Sequence, residues 1–405
     1  MKGLGIKISL FLIYFVFAAL LNSVGILVER SQEVYGVAKE AAAILEPFKD
    51  LSIALISFLV GSFLPRLGYK RGMLLSLALV FFGCIGMYLG NNFWSVKILF
   101  ALTGMSFAVV KVSVYALIGQ VTDTDDGHRQ MMSYIETVFM IGIIFMYVVF
   151  PLFYDDNDPN AWLRGYLLMS GVVAVAFFII AFSKFEVNVP EKAESFAAGL
   201  KRMIGIMGSS KLVWLFATFA FFYVMTEQGI MTWLPTFNKE TLKIDDQLAA
   251  QVAVILMISF AVGRFITGAL VKKVKWNRLA LFGLIAAAIL VLVVLPMANN
   301  VGDAEVASLS ELPLVAFLFP MIGLFLAPLY PLVSSTVLSN TEKDTHNEIA
   351  GILTFFSALG GTLGSLLIGF LFDVLGGNNV FYLSLIPMAI ILTVLIFLSR
   401  ITRKA

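Results

Sequence analysis

The chain has 405 residues, of which 60% are hydrophobic and 13% are charged, and its mean hydropathy is +0.94. A soluble domain holds about 45–50% apolar and about 25% charged residues, so this composition excludes a soluble globular protein and indicates a membrane protein with many spans. The net charge of +2 does not indicate nucleic-acid binding, because the basic residues are spread over many loops. A single cysteine and two histidines exclude a disulfide framework and predict no metal site.

Apolar stretches of about 20 residues, the length that crosses a bilayer as a helix, recur along the whole chain. They predict an all-α membrane protein with twelve transmembrane helices in two six-helix bundles. The predicted spans are residues 7–28, 43–64, 72–91, 96–119, 130–153, 164–184, 212–236, 248–271, 278–298, 312–338, 349–372 and 379–399. We interpret the first as an uncleaved helix, because its apolar run is too long for a signal peptide and no clear cleavage site follows it.

The longest polar connector follows the sixth span. Apolar residues recur in it at helical spacing, opposite charged residues, and this pattern predicts an amphipathic helix on the membrane surface. The apolar positions are Phe196, Leu200, Met203, Ile204 and Met207. The connector predicts three domains: an N-terminal six-helix bundle at 1–185, a cytoplasmic connector at 186–211 and a C-terminal six-helix bundle at 212–405.

The sidedness of the chain follows from its basic residues. Most Lys and Arg residues, Lys70, Arg71 and Lys272 among them, fall on the side that holds both termini and the connector, which predicts that this side is cytoplasmic. All five Trp residues lie near predicted helix ends and are expected to form an interfacial belt. We therefore expect a multi-pass protein of the plasma membrane, and the absence of an N-x-S/T sequon is compatible with a bacterial inner membrane.

The two halves of the chain repeat weakly. The segment DGHRQMMSYIETVFMIG at the start of span five matches DTHNEIAGILTFFSALG at the start of span eleven. His128 and Gly142 align with His346 and Gly360 at the same interval. Parallel six-helix repeats joined by a connector are typical of transporters whose binding site lies at the midplane between the halves.

Lys111 lies in the middle of span four, with no other charge between Lys97 and Asp123. A cation at that depth costs at least about 2.5–3.5 kcal/mol, so a carboxylate, a water-filled cavity or a ligand has to compensate for it. Glu136 of span five lies at a similar depth, roughly 10 Å above the cytoplasmic boundary, and is predicted to meet Lys111. The two residues form either a structural ion pair or a part of the substrate-binding cavity in which Glu136 also carries protons.

Other ionisable residues lie inside or next to the predicted spans. Glu227 of span seven has no basic residue near it in sequence, and a carboxylate buried alone favours its protonated form. Glu227 is therefore the leading proton-coupling candidate, the alternative being a hydrogen-bonded acid that stays neutral. Arg264 of span eight is predicted to take part in gating or to contact an anionic group, unless it snorkels or links the halves structurally. Arg66, which follows span two, and Asp373, which follows span eleven, are further gating candidates.

Polar and small residues complete the candidate site. Asn22, Gln228 and Tyr330 are hydrogen-bonding residues that suit a hydroxyl-rich solute. The glycines of span eleven are expected to allow close helix packing and rocking motions rather than to bind a ligand; they are Gly351, Gly360, Gly361, Gly364 and Gly369.

Several segments resemble the major facilitator superfamily and, within it, the fucose:proton symporter branch. They are GHRQMMSYIETVFMIG, YVMTEQGIMTWLP, VGRFITGALV, APLYPLVSS and FFSALGGTLGSLLIGFLFDVLGG, which cover most of the C-terminal half and part of the N-terminal half. The resemblance implies a transporter of two six-helix bundles that works by alternating access.

The chain departs from this branch at several positions. Gly25 or a close neighbour stands where the family has an acid in span one, and Lys111 stands where it has one in span four. Glu136 and Glu227 stand where the family has glutamines, so the acids have moved to other helices. The loop motif after span two keeps its glycines and basic residues, but Pro65 replaces the usual acid.

These observations predict a secondary active transporter, a proton-coupled symporter that imports a sugar, a sugar derivative or a sugar acid as a monomer. The alternative is a proton-driven exporter of drug-like or lipophilic solutes on the same fold. No glycine-rich phosphate loop is present, so ATP hydrolysis is not expected to drive transport. Without a metal or nucleophile constellation we expect neither an enzyme nor a bound cofactor.

Overall fold

The structure, a computed structural model, describes residues 4–38, 45–155, 157–183, 196–298, 301, 306 and 308–402. Within these residues the regular structure is helical, apart from one isolated bridge between Ile244 and Val306. In chain order the helices are α1 (Leu4–Leu21), α2 (Val24–Tyr35), α3 (Leu45–Leu67), α4 (Tyr69–Gly90), α5 (Phe93–Val121), α6 (Asp125–Val149), α7 (Arg164–Phe182), α8 (Phe196–Ser209), α9 (Lys211–Glu240), α10 (Asp246–Leu270), α11 (Trp276–Ala298), α12 (Leu314–Leu318), α13 (Ile322–Leu326), α14 (Leu329–Ser339), α15 (His346–Leu375), α16 (Gly377–Val380) and α17 (Leu385–Ile401).

The helices coincide with the predicted spans. In the described part of the chain, ten helices are long and apolar enough to cross a membrane, and a shorter apolar helix covers Gly5–Leu21. The second predicted span is α3, which begins with the charged residues Glu46, Lys49 and Asp50. The all-α membrane fold predicted from hydropathy is therefore confirmed.

Two spans are interrupted for identifiable reasons. The first breaks between α1 and α2, where the amide of Asn22 donates to Ala18 O at 2.9 Å and the hydroxyl of Ser23 donates to Leu20 O at 2.8 Å. Such side-chain bonds compete with the helical ladder. The tenth breaks into α12, α13 and α14, because Pro320 and Pro328 lack the N–H that a continuous helix needs. In membranes, interrupted helices are found where backbone groups are shielded by protein or line a cavity.

The chain divides into two compact units. Unit 1 consists of residues 1–123, 138–209 and 341–355, and unit 2 of residues 124–137, 210–340 and 356–405. Two helices therefore contribute to both units: α6 begins in unit 2, and α15 begins in unit 1. These two helices carry the repeated sequence segments. The three-domain division at 185 and 212 stays a prediction.

Each unit is a helical bundle with its own buried core. In unit 1, α5 packs against α1, α3 and α4, and α7 packs against α1 and α4. In unit 2, α9 packs against α10, α14 and α17, and α11 packs against α13 and α17. Large apolar side chains stay exposed at helical spacing on α11, namely Phe282, Ile285 and Ile289. In a membrane such a stripe contacts lipid.

The connector contains the predicted amphipathic helix, α8. Met203 is fully buried in unit 1, while Ile204 is 56% exposed. The helix packs against α3, so one apolar side chain of its pattern is used for contacts inside the protein. The predicted contact of α8 with the membrane surface stays a prediction.

Candidate functional site

A cluster of buried charged residues lies inside unit 2. Its centre is Arg264 of α10, which is only 2% exposed. Arg264 Nη2 lies 2.7 Å from Glu227 Oε1, and Arg264 Nη1 lies 3.4 Å from Glu136 Oε2. Nη1 also donates a hydrogen bond to the main-chain oxygen of Glu136 at 3.3 Å. One guanidinium thus joins carboxylates from two other helices, α6 and α9.

Close packing of α6 against α10 places Glu136 beside Arg264. The ring of Tyr134 stacks on that of Phe265, with centroids 5.6 Å apart. Gly268 leaves room for the Tyr134 ring, because an added Cβ there would overlap with the ring. Gln130 Nε2 donates to Gly268 O at 3.0 Å and fixes the register of the two helices. The initial turns of α6 are therefore held against α10 by packing as well as by charge.

Tyrosines extend the cluster. The hydroxyl of Tyr223 lies 3.4 Å from Glu227 Oε1 and 3.3 Å from Leu326 O, and its one hydrogen is shared between these two acceptors. Its ring lies 5.4 Å from that of Tyr330, and the Tyr330 hydroxyl lies 3.2 Å from Ser357 Oγ. The predicted hydrogen-bonding residue Tyr330 is therefore connected to the charged cluster through Tyr223.

The three charged groups of the cluster are buried together. Two carboxylates share one guanidinium, and each of the three side chains is at most 10% exposed. Ionisable residues inside membranes usually serve a function, so this cluster is the candidate functional site of the chain.

The structure corrects one expectation about Glu227. It is not a lone buried carboxylate, because Arg264 from the next helix pairs with it. Sequence reasoning missed this pair since 37 positions separate the two residues. It also missed Tyr223, although Tyr223 and Glu227 are four residues apart on one helix and therefore share a face. Snorkelling of Arg264 is excluded by its burial.

Three further residues were predicted to contact the solute, namely Lys111, Asn22 and Gln228. Lys111 is half-buried in unit 1, and its Nζ lies 5.8 Å from the ring centroids of both Phe107 and Tyr115. Glu136 belongs to unit 2, so its predicted pairing with Lys111 stays a prediction. Asn22 lies at the break of the first span, and Gln228 is half-buried on α9 beside Gly361.

The predicted gating residues Arg66 and Asp373 lie on α3 and α15, but their side chains are outside the described part of the structure. Elsewhere on these two helices, α3 and α15 are in contact within unit 1. Gly61 of α3 and Gly351 of α15 let the two backbones approach, because a Cβ added to Gly351 would lie 2.7 Å from Ser57 O. The first turns of α15 are thus docked directly on α3.

The connector helix α8 holds the docked end of α15. Arg202 Nη2 lies 2.6 Å from Asp344 Oδ2, and Arg202 Nε lies 3.7 Å from Glu348 Oε1. Met203, the next residue, is buried beside Gly351. One turn of α8 therefore contacts the start of α15 with a cation and an apolar side chain.

Arg202→Ala should loosen this docking. We expect a cysteine placed at Thr354, a residue only 1% exposed, to react with a maleimide about two- to fivefold faster in the variant, the effect of one partly exposed ion pair. Cys84 is buried and is the one native cysteine, so it gives little background. Lys201→Ala, which removes the neighbouring exposed cation, is the matched control. Equal labelling rates in the Arg202 variant and the parent would contradict the role of Arg202.

Comparisons with known proteins agree with this architecture. The family model of the Major Facilitator Superfamily matches residues 8–309. Protein TsgA homolog from Buchnera aphidicola subsp. Acyrthosiphon pisum (strain APS) is 20% identical over 356 residues, which are 85% of this chain and 82% of the relative.

Solved transporter structures are similar over almost the whole chain. The E. coli fucose:proton symporter FucP has a TM-score of 0.77 at 17% identity and covers 98% of this chain and 99% of its own. The proton:xylose symporter XylE has a TM-score of 0.76 at 13% identity, covering 98% and 95%. At such identities the likeness shows the fold, and the family match covers most of the sequence. The chain belongs to the major facilitator superfamily, whose members are membrane transporters rather than enzymes.

Proposed function

We propose that this transporter is a proton-coupled symporter that imports a small polar organic solute, with Glu136, Arg264 and Glu227 as its proton-binding cluster. The observation that supports this proposal is the buried contact of one guanidinium with carboxylates from two other helices. Buried ion pairs stabilise proteins poorly compared with apolar packing, and ionisable residues inside membranes usually serve transport.

Glu136 is the carboxylate whose protonation couples to movement. Its contact with Arg264 is the longer of the two, at 3.4 Å against 2.7 Å. It also lies in the segment of α6 that belongs to unit 2, whereas the rest of α6 belongs to unit 1. Protonation of Glu136 removes its ion pair with Arg264. The contact between α10 and the start of α6 is weakened as a result. Glu227 keeps Arg264 compensated meanwhile, so no unpaired charge is left in the membrane.

The solute is a sugar, a sugar derivative or a sugar acid. Two structural neighbours carry fucose or xylose with protons, which supports this class. Arg264 Nε has no hydrogen-bond partner among the described residues, so the guanidinium keeps one donor for a solute oxygen. Gln228 and Asn22 supply amides, and Lys111 offers a cation to an acidic group beside the Phe107 ring.

A thermal-shift screen of the purified protein identifies the solute class. We expect neutral sugars or sugar acids to raise the unfolding temperature. Stabilisation by lipophilic cations alone would instead support a proton-driven exporter of drug-like solutes. In the proposed arrangement the protein works as a monomer in the plasma membrane, with both termini in the cytoplasm.

Accumulation in proteoliposomes tests the proton-binding cluster. One pH unit is worth about 1.4 kcal/mol per proton, so an acidic outside should let the wild type accumulate its solute up to about tenfold. Glu136→Gln and Glu227→Gln should each transport only down a gradient, with accumulation close to onefold. Glu311→Gln removes an exposed acid outside the cluster and should behave like the wild type. Full pH-driven accumulation in a cluster variant would remove that residue from the coupling mechanism.

A further inference from the structure

A second group of buried polar residues lies in unit 1. Within the part of the chain that the structure describes, Arg30 Nε, Ser31 Oγ and Trp162 Nε1 are buried and make no hydrogen bond. Ser31 is fully buried and Trp162 is 1% exposed. About nine in ten buried polar groups in native proteins have a partner, so three such atoms in one region require an explanation.

These atoms belong to elements that converge. Tyr35 is one helical turn after Ser31 on α2, so the two share a face, and the Tyr35 ring lies 6.3 Å from that of Trp162. Arg30 places its guanidinium carbon 3.6 Å from the centroid of the Tyr154 ring. Tyr154 directly follows the short 3-10 turn Phe150–Phe153. The Phe150 ring is 6.3 Å from Trp162.

The chemistry of the atoms specifies what is missing. An indole N–H and a guanidinium N–H can only donate, and a hydroxyl can donate as well. The missing partners are therefore acceptor oxygens. The charge of Arg30 is compensated by Glu33, whose Oε2 lies 2.8 Å from Arg30 Nη1. The ligand of this site therefore does not have to be an anion. The Tyr154 ring lies against Arg30 and the Tyr35 ring lies near Trp162, and aromatic rings suit the apolar face of a sugar ring.

We propose that Arg30, Ser31 and Trp162 form a second binding site, for a neutral, oxygen-rich solute with a ring-like apolar face. The site lies at the ends of α2 and α4, because the Tyr35 hydroxyl donates to Asn91 Oδ1 at 3.0 Å just beyond α4. These helix ends are on the predicted extracellular side, where an imported solute arrives first. The chemical class of this ligand rests on the proposed function; the existence of the site does not.

The fluorescence of Trp162 tests the site directly. In a protein in which the other tryptophans are replaced by phenylalanine, Trp162 is the sole reporter; the replaced residues are Trp94, Trp214, Trp233 and Trp276. Neutral hexoses, pentoses and their methyl glycosides are the probes. We expect a saturable change in emission, with a dissociation constant about two- to tenfold higher in Ser31→Ala, the effect of one neutral hydrogen bond. No change with any probe, or an unchanged constant in Ser31→Ala, would overturn the site.

Uptake measurements separate this inference from the proposed function. Trp162→Phe keeps an aromatic ring but removes the N–H donor, and it should raise the KM for uptake from the extracellular side about two- to tenfold. Trp94→Phe changes a tryptophan that is 69% exposed and is the matched control. A saturable Trp162 signal without any proton-driven uptake would overturn the proposed function and leave the site standing. Uptake with an unchanged KM in both Ser31→Ala and Trp162→Phe would overturn the role of the site in transport.

Discussion

Arg264→Ala should abolish proton-driven transport and lower the free energy of unfolding by about 3–5 kcal/mol, the usual effect of removing one partner from a buried ion pair. The loss is large because Arg264 compensates two carboxylates at once, at 2.7 Å and 3.4 Å. Without it, both buried carboxylates lose the guanidinium that they contact. Denaturant unfolding in detergent measures the stability, and proteoliposome uptake measures the transport.

The matched variant is Arg264→Lys. It keeps the positive charge but has a single ammonium group, whereas the planar guanidinium presents separate nitrogen atoms to the two acids. We expect Arg264→Lys to recover part of the stability and little of the coupling. A second control combines Arg264→Ala with Glu136→Gln and Glu227→Gln. This triple variant removes the three charges of the cluster and should restore most of the stability. Wild-type stability in Arg264→Ala alone would show that the pairs contribute nothing.

The fold could be predicted from the sequence because hydropathy acts locally. Every span needs its own run of apolar residues, and each predicted run coincides with helical structure. The interruption at Asn22 and Ser23 was not predicted, since it depends on hydrogen bonds between polar side chains and carbonyls of the preceding turn. Helix continuity inside an apolar run therefore cannot be inferred from hydropathy alone.

The site could be predicted only in part. Glu136, Glu227 and Arg264 were each identified, because a charge inside an apolar span stands out. Their partners were not, because 37 positions separate Arg264 from Glu227 and 128 separate it from Glu136. Contacts between helices depend on which faces meet, and sequence spacing does not contain that information.

The surroundings of Trp162 could not be predicted from the sequence either. Its place near a helix end indicated an interfacial belt, where an indole meets both lipid and water. Trp94 fits that expectation with 69% exposure, but Trp162 is 1% exposed among aromatic rings of unit 1. The lack of a hydrogen-bond acceptor for its indole N–H is visible only once the surrounding residues are placed, so no sequence pattern could have indicated it.

Gly360→Val should lower the free energy of unfolding by about 1–3 kcal/mol or more, as overpacking of a close interface does. In unit 2, Gly360 of α15 lies against the backbone of α9, and an added Cβ would overlap with Phe221 O. A carbonyl of a continuous helix cannot move aside as a flexible side chain can. Helix interfaces in membranes depend on such small residues, because no hydrophobic effect drives the helices together within lipid.

Gly86→Val is the matched control for this experiment. Gly86 also lies inside a long apolar helix, α4, but an added Cβ there meets no atom within 4 Å. Both variants change the helix propensity alike, so the difference between their unfolding free energies reports the contact between α15 and α9. Equal stabilities of the two variants would mean that α15 can move away from α9 at no cost. Because α15 begins in unit 1 and continues in unit 2, a loosened Gly360 contact should also slow transport more than the loss of stability alone explains. Gly86→Val should keep the wild-type rate.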